Sequence, residues 1–404
     1  MEPPRAHPPR RNHALLPLAI GVLILAAAAL SDTKGRWPPR SQPPADDPLG
    51  PLVLRIEQYL EAHEANGVTM DWRYRVDPAE EIRQTVVCQL LAGAELYRIR
   101  PTPPLLREIR NHADFMIGRL DQIRSHGPFD GMLAYSLLAA YEVARDPRYR
   151  EAGARIAQDL AAIPTDKCVL NPGLMVAMAT AEYARLGGGE AYARKARDIL
   201  TQLIPNQNED GSFPHWCDGS RDIHYTGWMA MELIHLQRVL GDTRIEPMLE
   251  RMSAFLERRI GADGRARYEE RCPDARGGWC YYFSRKSGCA FDYDTRGWTV
   301  EPAYCVLLFD REGSPRYSPT LRFLLSLERG GTFSDLYGYR PPPTDPEYPW
   351  TTADTSVVNT SIIFWALTTA LAERAPRAGA EGALAGSRRA WDNFAWIRPQ
   401  SVTR

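Results

Sequence analysis

From residue 50 onward, apolar positions recur with helical spacing, and the stretches they define come in two alternating kinds. One kind is amphipathic. Ile245, Met248, Leu249, Met252, Phe255, Leu256 and Ile260 return every three or four residues with charges between them, so one face is wet. The other kind is apolar almost all round, as in MLAYSLLAAY (132–141), LMVAMATA (174–181), WMAMELIHL (228–236) and SIIFWALTTAL (361–371), and such helices are enclosed by protein. Amphipathic helices are predicted near 50–63, 105–124, 148–162, 190–204, 245–260 and 316–328. Enclosed ones are predicted near 80–98, 131–144, 172–186, 224–240, 296–310 and 354–373.

Six helices of each kind make six hairpins. Two concentric rings, apolar helices inside and amphipathic helices outside, bury both kinds, which predicts an all-α chain folded as an (α/α)6 toroid over 50–374. An open solenoid would satisfy the same alternation, but it needs terminal repeats with a polar outer face. The pattern offers none, so closure is expected.

Connection lengths break the symmetry of the ring. Links from an enclosed helix to the next amphipathic one are short, such as RIRPTPP and GDTR, whereas the reverse links include long ones at 66–79, 205–223, 261–295 and 329–353. Long loops without structure of their own are usually functional. All of these leave one face, where they wall a depression around the positive, N-terminal ends of the inner helices.

Those loops are aromatic and acidic. Trp72, Trp216, Trp279 and Trp350 fall within them, and Trp228 and Trp298 fall in the first turns of the helices that follow. A sugar ring packs its C–H face on an aromatic plane while its hydroxyls bond acids and amides, so this composition points to a carbohydrate ligand. An aromatic plug for the ring of helices is the competing role.

The loop before the fourth inner helix reads QNEDGSFPHW (207–216), followed by a short polar stretch and then Ile223 and His224. This string is similar to hairpin turns of (α/α)6 toroid proteins, which include glycan hydrolases, lyases and epimerases as well as terpene cyclases and protein prenyltransferases. It implies an architecture rather than a reaction. A plain turn is its simplest role, with Gly211 supplying the conformation and Asp210 bonding its own backbone.

Asp222, His224 and Tyr225 open the fourth inner helix, and a carboxylate beside an imidazole can share acid and base work. Asp222 as an N-cap is the alternative. Asp292 and Asp294 end the next long loop. Two carboxylates two residues apart can set one pKa against the other, or simply cap the helix. The DYDT segment (292–295) resembles a truncated form of the D-x-D-D acid of class II terpene cyclases, with Thr295 where the fourth position is acidic. That resemblance implies Asp294 as a proton donor to an isoprenoid. Asp354 and Asp130 start the sixth and second inner helices and suit caps or the cavity wall. The predicted catalytic set is therefore Asp222, His224 and Asp294. The predicted ligand-binding set is Asp130, Asp210, His215, Trp216, Tyr225, Trp279, Asp292, Trp350 and Asp354.

Outside this region, residues 14–30 run without a charge, long enough to reach the lower limit for a membrane span, and Arg5, Arg10 and Arg11 precede them in the basic segment 1–13. An anchor is expected, with a cleaved signal as the alternative. The proline-rich stretch 31–49 reads as a tether, and 375–404 as a C-terminal tail. Forty-nine basic against fifty acidic residues leave a net charge of −1, which disfavours nucleic-acid partners. Seven cysteines form no C-x-x-C pair, and Asp292, Cys280 and His224 stand in the wrong order for a prenyltransferase zinc site, so no metal or other cofactor is expected. Cys272, Cys280 and Cys289 can supply a loop disulfide, while Cys88 and Cys305 lie in apolar helices where buried thiols are expected. The reading is a membrane-tethered, periplasmic, monomeric glycan-active protein. A non-catalytic glycan-binding factor and an isoprenoid-handling toroid are the alternatives.

Overall fold

The computed structural model describes residues 47–65, 67–70, 78–165, 170–214, 221, 223–266, 297–334, 336–337 and 356–374. All lie within the structural unit Asp47–Arg404. The apolar segment 14–30, the tail 375–404 and the cysteines at 168, 217, 272, 280 and 289 are outside the described residues. Among those described, no helix is long and apolar enough to cross a membrane.

The α-helices follow in chain order as α1 (Leu49–Ala62), α2 (Pro78–Ile99), α3 (Pro103–Ile117), α4 (Leu120–Ile123) and α5 (Asp130–Ala144). Next come α6 (Pro147–Ala161), α7 (Leu170–Tyr183), α8 (Glu190–Leu203) and α9 (Ile223–Leu240). The chain continues through α10 (Ile245–Arg259), α11 (Val300–Glu312), α12 (Tyr317–Leu327) and α13 (Val357–Arg374). A two-residue ladder, β1 (Gly297–Trp298) with β2 (Leu336–Tyr337), interrupts the helical pattern.

The inner helices are α2, α5, α7, α9, α11 and α13. Each packs on the next in that order, and α13 returns to α2, which closes the ring. Outside them, α3 lies on α2 and α5, α6 on α5 and α7, α8 on α7, α10 on α9 and α11, α12 on α11, and α1 on α13. This is the (α/α)6 arrangement that the alternating pattern predicts. Burial follows the two kinds of sequence: α6 buries Tyr149, Ala152, Gly153, Ile156, Ala157 and Leu160 on one face, whereas α13 is buried continuously from Val357 to Leu371. Starts are set locally, as where Asp146 accepts from Arg148 N ahead of Pro147, and Thr102 accepts from Leu105 N ahead of Pro103.

Three boundaries differ from the periodicity. The second outer helix divides into α3 and α4 at Gly118 and Arg119. The fifth inner helix begins at Val300 rather than 296, because Gly297 and Trp298 are drawn into the ladder with Tyr337 and Leu336. Asp47, placed in the tether by the sequence, accepts from Leu49 N and Tyr317 Oη and pairs with Arg374 at 2.8 Å, so the packed chain starts there.

One turn recurs after outer helices and locks neighbours together. Gly211 has φ +93°, and a Cβ there would stand 2.1 Å from Arg251 O on α10. Only glycine fits that approach. Gly264 meets Pro319 of α12 in the same way, and Gly331 meets Arg55 of α1, carrying the device across the point of closure. Two residues beyond the glycine, Phe213 and Phe333 are wholly buried, and their backbone N–H groups donate to Thr226 and Thr360 of the inner helices.

At the C-terminal ends of the inner helices, buried and half-buried charges join all six. Arg98 bonds Glu95 and Glu142, and Arg185 bonds Glu142 and Glu182. Arg238 bridges Glu95 at 3.0 Å and Glu373 at 2.7 Å. Arg311 of the remaining inner helix, α11, pairs with Glu373 and with Glu246 of α10. Cations suit helix C-termini. Burial pushes Glu95 up, but Arg238 and Arg98 outweigh it and hold the carboxyl below its ordinary range.

Candidate functional site

The N-terminal ends of the inner helices meet on the face carrying the long loops. Gln89 of α2 donates to Thr69 O in the first loop and to Ser361 of α13. Thr299 before α11 donates to Ser334 O, and Asn359 of α13 donates to Thr299. Tyr225 of α9 accepts from Asn171 N at 3.1 Å, taking up one of the N–H groups that a helix start leaves without an intrahelical acceptor.

Within this end, α9 and α11 present an aromatic wall. His224, Tyr225, Trp228 and Trp298 are each half-buried. The His224 ring lies 6.0 Å from Trp298 and 5.7 Å from Tyr304. His224 and Trp228 are one turn apart on the same helix face. Glu301, wholly buried in the first turn of α11, accepts from Trp298 N at 3.3 Å, so the wall is tied to a helix start.

Below the wall the groups are enclosed. Trp228 stands edge-on to Tyr304 at 6.1 Å and to Trp365 at 6.2 Å, and its indole N–H donates to Glu232 Oε1 at 2.7 Å. Burial holds the Glu232 carboxyl well above its ordinary range, and the bond from Trp228 offsets this only in part. The same burial raises the Tyr304 phenol and the thiols of Cys88 and Cys305, both unbridged.

Of the residues proposed from the sequence, His224 and Tyr225 stand together here. Asp130 and Asp210 have other work. Asp130 is wholly buried and accepts from Ser125 N and Oγ, His126 N and Arg124, so its oxygens are committed to shaping the turn before α5. Asp210 accepts from Ser212 N and Oγ and pairs with Arg221 at 3.2 Å. Burial pushes that carboxyl up, but Ser212, Arg221 and Arg258 outweigh it and lower it. Both carboxylates thus hold turns. Asp222, His215, Trp216, Trp279, Asp292, Asp294, Trp350 and Asp354 lie outside the described residues.

Glu232, Tyr304 and Trp365 escaped the sequence reading. The available signal was a lone carboxylate in the apolar run WMAMELIHL, four residues after a tryptophan. An ionisable group in an enclosed helix requires a partner or a proton.

No sequence-family model and no curated protein matches the chain. Its fold does match solved structures. An unsaturated glucuronyl hydrolase specific for heparin aligns with TM-score 0.56 and 14% identity over 81% of this chain and 98% of that one. A sugar epimerase from a ruminal bacterium gives 0.56 and 11% over 79% and 98%. A glycosyl hydrolase family 88 protein from Bacteroides vulgatus gives 0.54 and 11% over 80% and 98%. These are (α/α)6 toroid glycan-active enzymes, and the chain shares their fold.

Proposed function

We propose that the chain is a glycan-active enzyme, a polysaccharide hydrolase, lyase or epimerase, whose ligand lies in the mouth at the N-terminal ends of the inner helices. The observation that carries this reading is the half-buried wall of His224, Tyr225, Trp228 and Trp298. It offers ring faces to a pyranose beside an imidazole. The solved structures of like fold include a sugar epimerase and two glycoside hydrolases, which supports the same reading. In this proposal Asp222 and Asp294 join His224 as acid and base.

The protein is further proposed to act as a monomer in the periplasm. The charge-free run 14–30 would hold it to the inner membrane, with 31–46 as tether; a secreted form after signal cleavage is the alternative. That placement rests on sequence alone.

A second reading, a glycan-binding factor without turnover, rests on the same aromatic wall, which offers packing faces to a sugar whether or not a bond is broken.

The test is to incubate the full chain with neutral and acidic polysaccharides and to follow new reducing ends, unsaturated products and epimerised products, with calorimetry for binding. Turnover abolished in Asp294→Asn with binding retained is expected. Binding with full turnover in Asp294→Asn combined with His224→Gln would remove the assigned chemistry, and absence of binding across the panel would remove the glycan reading.

A further inference from the structure

Three residues one turn apart, His224, Trp228 and Glu232, make a stripe down α9 from the mouth into the core. Trp228 is the half-buried member, and its indole is held from three sides. Tyr304 and Trp365 meet it edge-on, and Glu232 Oε1 accepts its N–H at 2.7 Å. Glu232 itself has no exposed surface, and its Oε2 has no hydrogen-bond partner among the described residues. We propose that Glu232 is a positioning residue, held beneath Trp228 to fix the indole plane against which the glycan packs. This rests on the reading of the mouth as a glycan site.

The choice of side chain follows from counting donors and acceptors. Leucine at 232 would strand the Trp228 N–H in apolar surroundings. Glutamine would accept from the indole but would place two N–H donors where, among the described residues, Oε2 has no hydrogen-bond partner. A protonated carboxyl accepts through one oxygen and leaves a single O–H over. An ionised carboxylate is disfavoured because burial raises this group and, among the described residues, no arginine, lysine or histidine offsets it, in contrast to Glu95. A platform fixed before the ligand arrives saves ordering cost on binding.

The experiment uses the full chain labelled with ¹⁵N at tryptophan indoles, with the Trp228 resonance assigned by its loss in Trp228→Phe. The Trp228 N–H signal should sit downfield as a hydrogen-bonded indole, stay there in Glu232→Gln and move in Glu232→Leu. Affinity for the oligosaccharide that the wild type binds best should fall on the order of five- to tenfold in Glu232→Leu, the loss of about one hydrogen bond, and recover in Glu232→Gln. In a Trp228→Phe background the Leu substitution should cost no further affinity. An unchanged indole resonance in Glu232→Leu overturns the proposal, and so does an undiminished Leu effect in the Phe background. The indole signal is read without ligand, so it tests the positioning role even if no glycan binds. If Glu232→Leu does not fold, a displaced Trp228 signal in Glu232→Gln overturns the proposal by itself.

Discussion

At the C-terminal ends of the inner helices, Glu95, Glu142, Glu182 and Glu373 each meet an arginine; on the mouth side, Glu232 meets an indole. All five are carboxylates on the same ring of helices, yet arginines hold Glu95 and Glu142 below the ordinary range while burial holds Glu232 above it. Where helices from distant parts of the chain must be joined, charges are paired across elements, as in Arg238 with Glu373, 135 residues apart. Buried pairs of this kind are costly to break but add little over well-packed apolar contacts. They serve the closed ring as fasteners. Near the mouth the charge is suppressed and the aromatic surface is kept in place.

The sharpest way to break this contrast is Arg238→Met, which leaves Glu95 and Glu373 with a shared partner missing. Denaturant unfolding should show a loss of about 3 kcal/mol, the low end for a broken buried pair because Glu95 keeps Arg98 and Glu373 keeps Arg311. Glycan affinity measured well below the transition should be unchanged, since the fastening end does not touch the ligand. A smaller loss is expected for Gly211→Ala. A residue with a Cβ at φ +93° against Arg251 O costs about 1–3 kcal/mol in backbone strain, visible as a lower Tm. On the mouth side, Trp228→Ala should weaken oligosaccharide binding on the order of tenfold, read by calorimetry, if the indole is a central anchor of the site. A larger effect of Arg238→Met than of Trp228→Ala on binding would collapse the distinction between the two ends.

The finest discrimination is by pH. Glu232 has a folded-state pKa raised above its ordinary 4.5, so the folded protein holds a proton that the unfolded chain has released. Its contribution is fully present below that ordinary value and is lost as pH rises through the raised one. Tyr304 faces Glu232 and is itself raised by burial, so it adds no charge in that window. Glu95 has the opposite sign: its lowered pKa makes its contribution present above the ordinary value and lost as pH falls through the folded one. Stability of Glu232→Gln should therefore fall less steeply toward alkaline pH than that of the wild type, while its acid limb is unaltered. Parallel alkaline limbs would show that Glu232 is ionised in the folded state.

Much of the ring was legible in the residues, because two burial environments write two patterns. A helix wet on one side keeps a 3.6-residue period, as α10 does, and one enclosed on every side loses it, as α13 does. The fastening end was not legible, since nothing local to Arg238 points to Glu373. The repeating turn was read only at Asp210 and Gly211. Its other copies each keep only a part of the string, Asp263-Gly264 in one and Gly331-Thr332-Phe333 in the other, around a glycine at positive φ. At the site, His224 and Tyr225 were found from their place at a helix start. Asp130 looked equally suited to ligand or turn, and the donors at Ser125, His126 and Arg124 show its part in the turn.

The most direct measurement is amide hydrogen exchange of the full chain with and without a saturating oligosaccharide. The account predicts slowed exchange at 223–228 and 297–301, the starts of α9 and α11, with the segments around Glu95, Arg238 and Glu373 unchanged. Protection confined to those C-terminal segments or to the outer helices, with the starts of α9 and α11 unaffected, would contradict it.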